Sequence, residues 1–513
     1  MAAYDRKQPD DSFARGFHLS KDHLYTFSAW LQLSEGRDIV QAFVNTSGPN
    51  RLIVGSVVAR SGCWSMLKGG FTVDQNMKTQ LYFKSNNTKA EIWIDSVSLK
   101  GFTRGEWQQH RKTKIDEFRK RRLRIHVTSM GKNLDRVNVT IAQMRTQFAI
   151  GCGTTASILD NKDYQTWFVR RFQAATFDNE MKWYYTGASP GKENYTDPDA
   201  MVSFFKKHKI DVRGHTILWA NPNMTQSWVR SLTASKVREA AKRHVRSVVT
   251  RYSHDVIAWD VMNENLHFSF YEDKLGPNAS SMFYGMVRSL DSKNPLFLNE
   301  YNTLEFPLDS KVIPSRYVER IREIQSFPGN ENISLAIGLQ GHFSPPPSLS
   351  YIRAAIDILS ATGLPIWLTE LDTRRGPNQA AELEEVMREA FGHPGVEGII
   401  VWGGWKPTNC NRTCLAAEHK TSADRLPHGC AEMCLVDENL RTLPPGDVVD
   451  KLLQEWRTTS LSKVTGKDGT VEETVFLGKY SVRFFHPQIP AGRPGKKIVV
   501  TPGKDPLEVN VEL

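Results

Sequence analysis

Between Phe148 and Leu461 the chain repeats one pattern eight times: a short run of strand-forming residues, then a stretch with helical spacing. The runs are FAIGCG, AATFDN, DVRGHTILW, VIAWDVMNE, LFLNEYN, LAIGLQGH, IWLTELD and GIIVWGGW. Alternation of this kind is the signature of a parallel α/β architecture. Eight units in roughly 300 residues fit a closed (β/α)₈ barrel better than an open doubly wound sheet. No glycine-rich phosphate-binding turn follows the first run, which argues against a nucleotide fold.

The flanks follow another rhythm. From about residue 24 to 100, runs such as LYTFSAWLQL, TQLYFKS and AEIWIDSVSL alternate apolar and polar residues, as antiparallel strands of a sandwich do. In the last run Ile92 and Ile94 share one face, leaving Glu91, Trp93 and Asp95 on the other, an arrangement suited to stacking and hydrogen-bonding a sugar. A charged helix is predicted from Glu106 to Arg124, so the basic run 119–124 (RKRRLR) reads as a solvated helix end rather than a nuclear address. The tail alternates again in ETVFLGKYSVRFF and KIVVTPGKDPLEVNVEL. The expected division is a jelly-roll sandwich over 1–103, a connecting helix and β segment over 104–147, the barrel over 148–461, and a β segment over 462–513 that pairs with 124–145.

The net charge of +10 is scattered, with no basic patch interleaved with aromatics, so nucleic acid is not an expected partner. No uninterrupted apolar stretch reaches membrane-spanning length, and MAAYDRKQPDD opens the chain without a secretory apolar core. Yet eight Asn-x-Ser/Thr sites occur, at Asn45, Asn86, Asn138, Asn194, Asn223, Asn278, Asn332 and Asn411, which suits an exported glycoprotein. Four of the six cysteines form a duplication, Cys410-x₃-Cys414-Leu and Cys430-x₃-Cys434-Leu. Zinc is one reading of that set; disulfides suit a loop-rich segment better. Cys63 and Cys152 stand alone and read as buried thiols.

In a barrel the strand C-termini form the active face. The fourth run ends in Asn263-Glu264 and the seventh in Thr369-Glu370-Leu371-Asp372, so two carboxyl groups can converge from opposite sides of the ring. Glycosidic cleavage requires such a pair. One group protonates the departing oxygen and the other attacks, or guides water to, the anomeric carbon; a separation of about 5–5.5 Å gives retention and about 6.5–9.5 Å inversion. That chemistry needs carboxyl groups and water, with no metal or organic cofactor.

The motifs NEMKW, RGHTILW, WDVMNE, LFLNEYN, GLQGH, WLTELD and VWGGW run through the barrel in order. On them the chain resembles glycoside hydrolase family ten, the endo-1,4-β-xylanases, and its plant branch in particular. That family folds as a TIM barrel and cleaves xylan with retention. The resemblance implies Glu264 as acid/base and Glu370 as nucleophile, with Asn263 on the sugar 2-hydroxyl and His342, two residues after Gln340, orienting the nucleophile. It further implies that His215 binds the sugar next to the cleaved bond, that Asn179 and Lys182 reach the next sugar out, and that Trp219 and Trp402 form apolar walls. Asp178, Gly187 and Ala220 depart from the family pattern. The sandwich resembles carbohydrate-binding module family twenty-two without its first strands, which a truncated gene model or an alternative start would explain together with the absent leader. Arg6, Trp30, Glu91 and Trp93 are its candidate xylan contacts. The expectation is a monomeric enzyme secreted to the cell wall. A wall protein that binds xylan with little hydrolysis, and a xylan endotransglycosylase, are the alternatives.

Overall fold

The computed structural model describes residues 1–46, 51–344, 346–408, 410, 433–487 and 495–513. Eight parallel strands, Ala149–Thr154, Ala174–Phe177, Asp211–Gly214, Val256–Asp260, Leu296–Glu300, Leu335–Leu339, Ile366–Thr373 and Val396–Val401, pair each with the next. The eighth returns to the first, with Ala149 opposite Gly398 and Cys152 opposite Val401, so the ring closes and has no edge. The fifth and sixth strands are buried throughout, as expected where one face fills the barrel and the other lies under helices. Those helices bury one stripe. Along Ala234–Tyr252 the covered positions are Val237, Ala240, Ala241, His244, Val245, Val248, Val249 and Tyr252, recurring every three or four residues.

Two four-stranded antiparallel sheets form the N-terminal sandwich. Ala29, Leu31, Val40, Val54, Leu67, Phe83, Ile92 and Ile94 fill the space between them. The sandwich rests on barrel helices Pro314–Gln325 and Leu349–Ser360. Glu319 pairs with Arg37 (2.5 Å) and Arg60 (2.9 Å), and Asp357 with Lys68 (3.2 Å). Partly exposed pairs of this kind contribute about 0–1 kcal/mol each, so close fit must carry the junction. It is closest at Gly70, where a Cβ would stand 2.5 Å from the Ser350 carbonyl carbon.

A second sandwich lies beyond the barrel and is assembled from both sides of it in sequence. Lys120–Ser129 pairs antiparallel with Thr470–Phe476 and parallel with Leu507–Glu512. Asn138–Thr146 pairs with Leu461–Val464 and Gly478–Phe485, and the latter with Lys496–Val500. Leu123, Ile125, Val127, Val139, Ile141, Val471, Val482, Val500 and Val511 form its core.

The helix expected over Glu106–Arg124 is corrected to Arg104–Arg119, and the basic run is not a solvated helix end. A capping box between Thr103 and Glu106 starts the helix. It stops because Leu123, Ile125 and Val127 alternate with period two onto the second sandwich core, and that burial outweighs the helix-favouring Lys and Arg around them. The basic side chains are engaged. Arg119 donates to the Phe391, His393 and Val396 carbonyls at 2.8, 2.6 and 2.6 Å, and Arg124 pairs with Glu472 and Glu508.

Cys410 and Cys434 form a disulfide, while Cys414 and Cys430 lie outside the described residues. Cys152 is buried on the first barrel strand, but Cys63 is exposed, against expectation. It sits in the turn Ser61–Cys63 between two strands, where no core reaches it. Among the described residues no helix is long and apolar enough to cross a membrane.

Candidate active site

The fourth barrel strand ends at Asp260, fully buried, whose carboxylate accepts from Arg213 Nη2 (2.7 Å) and faces His215 Nδ1 (2.8 Å). Holding Nδ1 in this way turns the other ring nitrogen toward the seventh strand, where His215 Nε2 lies 3.9 Å from Glu370 Oε1. Past Asp260 the segment Met262–Asn263 pairs with Leu218–Trp219, and Glu264 follows with φ +59°. The Glu264 amide donates to the Asn299 carbonyl at 3.0 Å. Its carboxyl group accepts from Trp219 Nε1 (2.7 Å) and Gln340 Nε2 (3.2 Å).

Glu370 sits on the seventh strand with Oε1 accepting from Asn299 Nδ2 (2.8 Å) and Oε2 lying 3.3 Å from His342 Nε2. His342 Nδ1 is in turn 3.0 Å from Asp372 Oδ2. Asn299 also donates to Asn263 Oδ1 (2.9 Å) and accepts from Thr369 Oγ1. One amide therefore ties the strand-four and strand-seven ends together.

The two carboxyl groups are driven in opposite directions. Burial pushes Glu264 above the ordinary glutamate range; the Trp219 and Gln340 donors oppose this, and the negative charge of Glu370 adds to it. Burial would also raise Glu370, but His215, His342 and Lys182 outweigh it and hold the group well below the usual carboxylate range. Burial would lower His342, yet Asp372 and Glu370 raise it well above its ordinary value, which favours a ring that donates from both nitrogens. Shifts of opposite direction on two facing carboxyl groups favour the division of labour that an acid and a nucleophile need.

Around the pair, Lys182 Nζ lies 4.6 Å from the Trp219 ring centroid, its ammonium pushed down by burial and restored in part by Glu370, Asp178 and Glu264. Asn179 accepts a hydrogen bond from the Tyr184 hydroxyl. Trp402, at the end of the eighth strand, stands edge-on to His215 with centroids 6.0 Å apart. All ten residues expected at the barrel site thus lie on strand ends or the loops just beyond them.

The family model described as Glycosyl hydrolase family 10 matches residues 140–416. The chain belongs to that family. Among its relatives, "Endo-1,4-beta-xylanase 5-like" of Arabidopsis thaliana is 39% identical over 485 residues, 93% of this chain and 82% of the relative. "Endo-1,4-beta-xylanase 5" of the same plant is 38% identical, over 91% and 80%. Xylanase 10B from Thermotoga petrophila RKU-1, solved with xylobiose, superposes with a TM-score of 0.51 at 21% identity, covering 60% of this chain and 94% of that one, which shows the fold.

Three residues of this family 10 glycoside hydrolase were not singled out in the sequence: Asn299, Asp260 and Asp372. Each stands inside a quoted motif, but its work is to hold a side chain from another strand, and only the closed ring supplies those contacts. Glu305 was missed too; its carboxylate accepts from the Gly341 and His342 amides at 2.9 Å each, fixing the loop that carries His342. Gly187 has a structural reason. A Cβ there would stand 2.7 Å from the Trp183 ring, so the longer family side chain would not fit this packing. Asp178 pairs with Lys406 at 3.1 Å.

In the N-terminal sandwich, Trp30 is exposed opposite Asp95 on the neighbouring strand, and Trp93 Nε1 donates to Glu91 at 2.8 Å. Arg6, expected among the sugar contacts, is corrected to a structural residue. It is buried, and its guanidinium donates to the carbonyls of Pro9, Asp11, Ser85, Asn87 and Ala90, leaving no N–H for a ligand.

Proposed function

We propose that this enzyme is an endo-1,4-β-xylanase that cleaves the xylan backbone with retention, Glu264 serving as acid/base and Glu370 as nucleophile. The reading is carried by two buried strand-end carboxyl groups whose protonation is pushed in opposite directions, with Asn299 donating to Glu370 and accepting, at its carbonyl, from the Glu264 amide. In the first step a Glu370 oxygen attacks the anomeric carbon and the bond to the departing xylosyl oxygen breaks. That oxygen takes the Glu264 proton as it leaves. In the second step Glu264, now a carboxylate, removes a proton from water, whose oxygen displaces Glu370 and restores both groups. The His342 imidazolium and Asn299 hold Glu370 in line, and Asn263 offers its NH₂ to the sugar 2-hydroxyl. His215, Lys182, Asn179 and Gln340 bind the hydroxyls flanking the cleaved bond, and the Trp219 and Trp402 rings face the apolar side of xylose.

Trp30, Trp93 and Glu91 are the sugar-facing side chains of the N-terminal sandwich in this reading, which makes it a xylan-binding module. The enzyme works outside the cell as a glycoprotein. Supporting this, the seven described sequon asparagines are all exposed; Asn411 lies outside the described residues.

The decisive experiment follows the first-formed anomer by proton NMR during xylotetraose hydrolysis, alongside Glu264→Ala with azide. Retention predicts the β-anomer first and a β-xylosyl azide from the variant. An initial α-anomer overturns the double displacement, and xylan binding without turnover in the unmodified enzyme overturns the hydrolase reading in favour of a wall-binding protein.

A further inference from the structure

The turn immediately after Glu264 is held by a polar cluster that the reaction scheme does not use. Glu300 follows Asn299 on the fifth barrel strand and is fully buried. Its Oε1 accepts from the Leu266 amide (2.6 Å), and its Oε2 lies 2.7 Å from His267 Nδ1. The other ring nitrogen of His267 lies 2.9 Å from Asp309 Oδ2. The ring itself lies flat on Tyr301, with centroids 3.8 Å apart and planes 7° from parallel. Asp309 is fixed by Asn302 Nδ2 (2.9 Å) and the Lys311 amide (3.1 Å), and Lys311 Nζ reaches the His267 carbonyl (3.2 Å). A carboxyl group stands at each ring nitrogen of His267; burial pushes Glu300 up to about 7, and Asp309, which burial would also raise, is held below its ordinary range by the bonds from Asn302 and His267. Burial would lower His267 itself, but Glu300 and Asp309 raise it above its ordinary value.

Glu264 itself occupies a left-handed conformation, φ +59°, which costs a non-glycine residue about 1 kcal/mol or more and persists only where its surroundings enforce it. Its amide is held by the Asn299 carbonyl and its own carbonyl by the Phe268 amide, 3.0 Å each. Between those two bonds lie Leu266 and His267, both tied to Glu300. The fifth strand thus serves both reacting groups through adjacent residues: Asn299 holds Glu370, and Glu300, through His267, holds the turn behind Glu264.

We propose that His267, gripped between Glu300 and Asp309, is a positioning residue that fixes the turn carrying Glu264 and so determines how well its proton reaches the departing oxygen. The inference rests on Glu264 being the acid/base. His267 does not touch the sugar. It acts through the backbone of residues 264–268.

The test uses the full chain carrying His267→Ala, His267→Gln or Asp309→Asn, with Glu264→Ala as reference, on two aryl β-xylobiosides. Phenol leaves poorly and needs the proton; 2,4-dinitrophenol leaves without it. A general acid contributes about 10²–10⁴-fold and misplacement by about 1 Å costs about 10²-fold. His267→Ala should therefore lower kcat/KM on the phenyl substrate at least about tenfold more than on the dinitrophenyl one. His267→Gln, which keeps a donor, should recover part of the difference. Asp309→Asn, at the cluster's outer side, should give a milder form and carries the test if His267→Ala does not fold. Equal losses on both substrates, or none on either, overturn the proposal. Glu264→Ala without leaving-group dependence would instead remove the acid/base assignment, a result separate from either.

Discussion

Replacing Asn299 by alanine removes the amide that joins the two halves of the active site, and its cost can be worked from the contacts. The lost donor to Glu370 is a hydrogen bond to a charged group, about 1.5–3 kcal/mol. The bond to Asn263 contributes about 1 kcal/mol, and the Thr369 hydroxyl loses its acceptor. A total near 3 kcal/mol corresponds to a fall in Tm of about 5 °C for a barrel of this size. Because 1.36 kcal/mol is one pKa unit, Glu370 should rise by roughly one to two units. Its carboxyl group is depressed in the folded enzyme, so its ionisation contributes stability that is present above the ordinary glutamate value and lost as pH falls toward the folded one. Wild type and variant share the unfolded value, so their difference in Tm should persist from pH 7 through pH 4 and shrink only where Glu370 takes up its proton in the folded variant, below the ordinary glutamate range. The acid limb of kcat/KM should move up by about one to two pH units. Thermal scans from pH 7 to pH 4 with a pH–rate profile measure both. An acid limb that does not move, or a Tm difference already lost at pH 4, would refute the reasoning, since the bond would then not favour the ionised form of a depressed Glu370.

Trp219→Phe keeps the ring but removes the indole donor that favours ionised Glu264, so the alkaline limb of the pH–rate profile should rise by about one unit; a downward shift would contradict the assigned bond. Arg6→Ala should destabilise the N-terminal sandwich by about 3 kcal/mol, because five carbonyls lose their donor. Xylan affinity measured below the unfolding temperature should be unchanged, and a selective loss of affinity would restore Arg6 as a sugar contact. A thiol reagent should label Cys63 in the native enzyme and reach Cys152 only after unfolding, because Cys152 is enclosed and burial pushes its thiol far up; peptide mapping before and after denaturant reads this directly.

The barrel was legible because parallel strands covered on both faces must be written as short apolar runs, and LFLNEYN or IWLTELD can hardly be anything else. The two glutamates could be singled out because polarity at the end of such a run breaks the pattern. What holds them was not legible. Asn299 looks like one more polar strand end, and its importance comes from three partners on two other strands. The basic run 119–124 misled for a related reason: Lys and Arg favour a helix locally, while Leu123 and Ile125 answer to strands that lie about 350 residues later. Arg6 misled because exposure is the ordinary state of an arginine, and nothing local announces five converging carbonyls.

The division of the second sandwich by the barrel has a consequence for how the chain is made. When Lys120–Ser129 and Asn138–Thr146 leave the ribosome, their partners on the far side of the barrel have not been translated. At about 5–20 residues per second the intervening 300 or so take roughly 15–60 seconds. Throughout that interval Leu123, Ile125, Val127, Val139 and Ile141 are apolar edges without a sheet, while the barrel between them can already close. Leu507–Glu512 pairs with the first strand of that sandwich, Leu507 lying opposite Leu123, so this edge is covered only after the barrel and the strands that follow it have been made. Loss of Leu507–Glu512 would leave the strand-end glutamates in place and still open an edge of that sandwich.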